Sequence, residues 1–314
     1  MKNVRKLTEG AILMAAFTVL LLVTIYVPVL GMVVNLFLPV PFILFAAKND
    51  LKSLVLFMVA SLIISFISGT IFALPLTLAY GLTGTVMGYL LQKNKSRTTI
   101  LISGSIIFLS NLVIQYIVST AFFHFNIIDE MIKTVNESIK MSSKLMEGMG
   151  QGQESAKIID QFEKGLDLIK TLVPSLFVMS SFIIVFFIQL LSLPIIKRFG
   201  IKVENWKPFR EISLPRSLLW YYLLAMLGNM LLHPAQGTYM FNAFTNLTYI
   251  LQLFMVFQGL TFIFHFFYQR GTKKSVPVVL SVLTMLVPVF LYIVGILGII
   301  DLGFDLRRRS GKKE

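Results

Sequence analysis

The sequence predicts an all-α fold, a polytopic bundle of helices in a membrane. Two observations carry that prediction. Hydrophobic residues make up 56% of the 314-residue chain and charged residues only 14%, against about 25% charge in a soluble domain. Twenty-two of the 28 Lys and Arg residues fall in six compact clusters, separated by long stretches without either. The clusters are Lys2/Arg5/Lys6, Lys48/Lys52, Lys93/Lys95/Arg97, the six from Lys197 to Arg216, Arg270/Lys273/Lys274, and Arg307 to Lys313. Cytoplasmic loops carry excess Lys and Arg, so the clusters mark the turns of the chain and its orientation.

Taken in order, the apolar runs give the elements. A crossing helix needs about 20 residues, and 10–30 supplies the first, entering from a basic, cytoplasmic amino terminus. No small-residue cleavage pattern follows it, so it is expected to remain as an anchor. Residues 33–47 contain Pro39 and Pro41 and read as a short or broken helix returning to Lys48. Residues 51–72 lead out and 74–91 back to Lys93; 99–125 lead out again and 171–196 return to Lys197. These six crossings define a first domain, 1–198.

Between the fifth and sixth crossings, residues 126–170 hold eight acidic residues and six Lys, which fits an external position. Ile128, Ile132, Val135 and Ile139, and then Ile159, Phe162, Leu166 and Ile169, recur at helical spacing. They predict two amphipathic arms meeting at a flexible tip, Gly148 to Gly152. Such a hairpin is either a solvated pair packed on itself or a lid over an external cavity. The second domain, 199–314, begins with a basic cytoplasmic loop to Arg216, followed by spans at 218–232 and 241–268. The last apolar stretch, 276–300, crosses once or turns back at Pro288. Only the turn keeps the basic tail on the cytoplasmic side.

No phosphate-binding loop, zinc-protease helix or nucleophile elbow is present, so no catalytic residue and no enzyme are expected. With no Cys and three scattered His, no metal site or cofactor is expected. The net charge of +13 sits in short loops beside apolar spans. It therefore indicates anionic lipid headgroups as partners, not nucleic acid. The middles of the spans carry no Asp, Glu, Lys or Arg; Glu9 and Asp301 lie at span ends. A pump built on an intramembrane carboxylate is disfavoured, and any energy source is expected in a partner.

Amides are the polar groups that the spans do contain. Asn35, Asn111, Gln115, Asn229, Asn242 and Asn246 are the candidate ligand-binding residues. Most of them fall in the outer half of the expected topology. Interhelical hydrogen bonding is the plainer role for any one of them; together they suggest a neutral polar cavity open to the outside. Gly84 and Gly88, and Ser61, Ser65 and Gly69, are spaced for close helix packing. Asp301, Phe304, Asp305 and Arg308 or Arg309 at helical spacing suggest an interfacial stripe, either a membrane-edge anchor or a docking site through Asp301 and Arg309.

Three segments together carry a resemblance: 5–16, the proline-containing second span, and the glycine-rich 80–88. They resemble the substrate-binding S-components of energy-coupling factor transporters. That resemblance implies six helices, capture of a small ligand from outside, and a separate ATPase and coupling module. It also implies docking of that module through the face matched here by Ala11 and Ala15. Over the full length, segments 208–216, Gln258-Gly259 and 298–309 look like the YybS-like family of uncharacterised bacterial multi-pass membrane proteins. This implies a cell-membrane location and no particular substrate. The functional expectation is a membrane subunit that binds or transports a small solute. The other reading is a non-transporting scaffold or regulatory protein.

Overall fold

The computed structural model describes residues 2–148 and 152–307. Among these there is no strand, and seven helices are long and apolar enough to cross a membrane. The chain divides into two compact units, one of residues 1–159 and 176–205, the other of 160–175 and 206–314.

In the first unit, α1 (Lys2–Tyr26) ends where Pro28 removes an N–H and starts a new helix. The return therefore begins earlier than the apolar run alone indicates. It is a broken span of α2 (Pro28–Val34), a 3-10 turn (Asn35–Phe37) and α3 (Pro39–Lys48). Every residue of α3 from Pro39 to Ala46 is buried. After α4 (Leu51–Gly69), α5 (Ala73–Gln92) packs closely on α3. A Cβ on Gly84 would lie 2.7 Å from the Pro39 carbonyl oxygen, and one on Gly88 would overlap that of Ile43. The small-residue face of α4 serves the same end, with the Ser65 and Thr77 hydroxyls hydrogen-bonded at 2.6 Å between α4 and α5.

One end of this unit is fastened by ionic and amide contacts. Lys6 pairs with Asp50, Lys48 with Glu9 at 2.6 Å, and Gln92 Nε2 donates to the Asn49 carbonyl at 3.2 Å. α6 (Arg97–Phe123) starts behind a Ser96 cap at the same end. There Gln189 of α8 (Gly152–Arg198) donates to the Arg97 carbonyl at 3.2 Å. At its other end α6 stops at left-handed His124, and Asn126 caps α7 (Ile127–Gly148) through the Ile128 N–H. The first polar arm is thus a separate helix, whereas the second is continuous with the sixth span in the 47-residue α8. Of the expected tip, Gly148 to Gly152, residues 149–151 lie outside those described.

The second unit contains α9 (Ser217–Leu232), α10 (Tyr239–Gln269), α11 (Ser275–Leu286) and α12 (Pro288–Phe304). α12 runs back along α10. Gly259 meets the Val294 carbonyl and Gly298 meets that of Met255, so closely that a Cβ on either glycine would overlap the oxygen. Leu219, Met255 and Leu302 form one core cluster; Val256, Leu260, Ile263 and Val294 form another. The last apolar stretch is a sharply bent pair, not a straight span: its axes turn by 120° at Val287, with Pro288 opening the second helix.

Candidate functional site

The most concentrated chemistry lies where α12 ends. Asp305 takes a left-handed conformation (φ 52°) and its N–H closes on the Asp301 carbonyl. This reversal turns the chain so that Arg307 points back into the unit. Its Nε donates to Asp301 Oδ2 at 2.9 Å. Nη1 donates to the carbonyls of Ile212 and Arg210 at 2.8 and 3.2 Å, and Nη2 to Thr261 Oγ1 at 2.7 Å. Gln258 Nε2 reaches the same carboxylate oxygen at 2.5 Å, while its Oε1 accepts from the Leu214 N–H at 2.9 Å. Asp301 is 3% exposed, and Gln258 and Thr261 are fully buried.

A buried charge is tolerated only when paired and hydrogen-bonded, and this cluster meets that condition at nearly every polar atom. Gln258 and Thr261 lie two to three turns before the end of α10, about 12–17 Å along its axis. The ion pair is therefore sunk into the unit. The loop before α9 is held with it: Phe209 sits between Phe257 and Phe264, with ring centroids 5.5 and 5.1 Å away, and Arg210 stacks 3.6 Å from the Tyr268 ring. Arg216 and Asp305 add a more exposed pair at 2.5 Å. With its charges paired and its donors engaged, the arrangement fastens three segments by one neutralised charge pair.

Within the described residues, Asp301 to Arg307, the expected interfacial stripe from Asp301 to Arg309 is not one continuous helix face. The helix ends at Phe304 and Asp305 is left-handed, so Asp305 to Arg307 do not continue its face. Asp301 points inward while Phe304 is exposed, and the base on Asp301 is Arg307. Arg309 lies outside the described residues.

The six candidate amides divide between the units. In the second, Asn246 is fully engaged in structure. Its Oδ1 accepts from the N–H and hydroxyl of Ser175 at 2.9 and 2.6 Å, and its Nδ2 donates to the Thr171 and Asn242 carbonyls, both at 2.7 Å. Asn229 and Asn242 are half-buried. In the first unit, Asn111 bonds the Ile107 carbonyl of its own helix at 2.8 Å, and Gln115 reaches from α6 to the Pro75 carbonyl of α5 at 2.8 Å.

Asn35 is different. It opens the 3-10 turn that breaks the second span, and its Oδ1 is buried with no hydrogen-bond partner among the described residues. Pro39 lacks an N–H and Pro28 fixes the other side of the break. A polar carbonyl is thereby left at an irregular point of an otherwise apolar helix. No group of three His, Asp or Glu residues able to hold a metal occurs among the described residues.

Residues 15–302 match the protein family described as "Predicted membrane protein (DUF2232)". The chain belongs to that family. It is also 31% identical, over 98% of its length and 99% of the relative's, to "Uncharacterized protein YybS" of Bacillus subtilis (strain 168). No solved structure matches. For this member of the DUF2232 family, Ala11 and Ala15 lie on an exposed face of α1, beside Ile12 and Val19, which are 64% and 60% exposed.

The sequence reading did not find Arg307, Thr261 or Ser175. The dipeptide Gln258-Gly259 was the available signal: a buried amide next to a close-packing glycine marks a point where another helix must supply a polar partner.

Proposed function

We propose that this protein is a membrane subunit that binds or transports a small neutral or weakly polar solute, entering from the external side of the bacterial cytoplasmic membrane and energised by a partner. The observation that carries the reading is the break at Asn35. Transporter sites are commonly built where a membrane helix is interrupted, and Asn35 brings an unpartnered buried oxygen to the 3-10 turn within its span. Placing the end with Lys6, Lys48 and Lys93 in the cytoplasm, as the positive-inside tendency requires, sets Asn35 in the outer half of its span.

The rest of the first unit supports the same reading. No Asp, Glu, Lys, Arg or His occurs from Gly10 to Ala47, so the broken span and its neighbour hold no ion-coupling carboxylate. The exposed Ala11/Ala15 face offers the small-residue surface on which a coupling subunit of an ATPase module would pack.

The test is purification of the full chain in mild detergent, followed by mass spectrometry of bound small molecules and thermal-shift screening. The expected result is a bound metabolite whose stabilising shift disappears in Asn35→Ala. No bound molecule and no shift across a broad metabolite panel would remove the reading.

A scaffold or regulatory role is the second reading, favoured by one observation. On the polar helix α7, Met131, Met141 and Leu145 are 64%, 70% and 67% exposed, an apolar set that suits a docking element. Co-purification of structural or signalling proteins, with neither an ATPase module nor a metabolite, would favour it.

A further inference from the structure

Between α10, α11 and α12 lies a cavity of about 490 Å³. Its walls include Phe262, Phe266, Leu280, Leu283, Phe290 and Leu297. The one polar side chain on the wall, Thr284, donates its hydroxyl to the Leu280 carbonyl of its own helix at 2.7 Å. Nothing in this cavity can orient a polar ligand. An apolar cavity of this kind does not hold ordered water, and it takes hydrocarbon. The space is open on one side and of the scale of a lipid acyl chain.

The charge beside it is one-sided. Phe266, on the cavity wall, carries the Arg270 guanidinium 4.2 Å from its ring centroid, and Lys273 and Lys274 follow in the turn that leads into α11. All three cations are exposed, and no acidic residue occurs between Gln258 and Ile300. An apolar chamber next to three uncompensated cations matches the two halves of an anionic lipid, whose phosphate is attracted by basic groups close to the membrane surface.

We propose that the chamber between α10, α11 and α12 is a binding site for an anionic phospholipid of the surrounding bilayer, with one acyl chain in the cavity and the phosphate on Arg270, Lys273 and Lys274. The 120° bend at Pro288 opens the chamber, because a straight α11–α12 rod would not fold its Leu280 to Thr284 side over Phe290 and Ile293. The lipid then acts as a filler that holds the bent pair against α10.

The full-length protein, reconstituted separately with phosphatidylglycerol and phosphatidylcholine and transferred to detergent, is examined by native mass spectrometry. Retention of phosphatidylglycerol is expected to exceed that of phosphatidylcholine by about tenfold or more, the size of a few favourable headgroup contacts. The surface variant Arg270→Gln/Lys273→Gln/Lys274→Gln should retain both lipids equally. Leu283→Trp, or independently Ile293→Trp, should retain neither while keeping the wild-type circular dichroism spectrum. Equal retention of the two lipids by the wild type would overturn the proposal, as would unchanged retention in either class of variant. A lipid-free dimer that Leu283→Trp dissociates would also overturn it, identifying a second copy of the chain as the occupant.

Discussion

Arg307 and Asp301, six positions apart, form an ion pair, Nε to Oδ2 at 2.9 Å, across a chain reversal at left-handed Asp305. The pair is closed off by Gln258 and Thr261 and leaves little of either charge to solvent. Removing one partner of such a pair costs about 3–5 kcal/mol, since the other charge stays buried. Asp301→Ala and Arg307→Ala should each lower the thermal unfolding midpoint of the purified protein strongly. The double variant should lose much less than the sum, and a double-mutant cycle reads the difference. Additive losses would show that the two charges are not coupled.

The crossing of α10 and α12 gives a steric prediction with an internal control. A methyl group on Gly298 or Gly259 meets a backbone oxygen that cannot step aside. Gly298→Ala and Gly259→Ala should therefore force the helices apart, at a cost in the range of about 1–3 kcal/mol or more known for overpacking. On the same helix, Gly295 has only Val256 Cγ2 at 3.5 Å, ordinary contact, so Gly295→Ala should be tolerated. Relative unfolding midpoints in one detergent check the ordering.

The parts of the fold that were legible in the sequence are those set by local chemistry. Pro39 and Pro41 announced a broken second span, Gly84 and Gly88 a close crossing, and Pro288 a break in the last apolar stretch. What was not legible depended on pairing between distant segments. Nothing local says that Asn246 takes Ser175, 71 positions away, or that Arg307 reaches the carbonyls of Arg210 and Ile212. The earlier start of the return at Pro28 was missed because Val27 to Leu30 is as apolar as the span before it. Hydropathy alone does not register where a helix axis turns.

Asn246 and Ser175 carry the third prediction. Asn246→Ala removes two donors and an acceptor and leaves the buried Ser175 N–H and the Thr171 carbonyl without it, while the Ser175 hydroxyl keeps the Asn246 backbone carbonyl at 3.1 Å. An orphaned buried polar group costs about 1–3 kcal/mol. Ser175→Ala should cost less, because the Asn246 amide keeps the Ser175 N–H and the Thr171 carbonyl. Comparable unfolding midpoints for Asn246→Ala and wild type would show that the network is not a structural requirement.

Asp50, in the turn between α3 and α4, gives a prediction in pH. The Lys6 ammonium beside it, helped by the Ser53 hydroxyl, holds its carboxyl well below the ordinary carboxylate range. A depressed carboxyl contributes stability that is fully present above its unfolded value. That contribution is lost only as the pH falls through the lower folded value. The Lys6–Asp50 contact should thus survive at pH 4, where an unpaired Asp is already half protonated. In protein labelled at Asp side-chain carbons, the Asp50 carboxyl resonance should stay in its ionised position at pH 4 and return to ordinary titration in Lys6→Met. Titration at the ordinary value in the wild type would mean that Lys6 does not hold the carboxylate in solution, and the tie between α1 and the α3–α4 turn would then rest on Lys48 and Glu9.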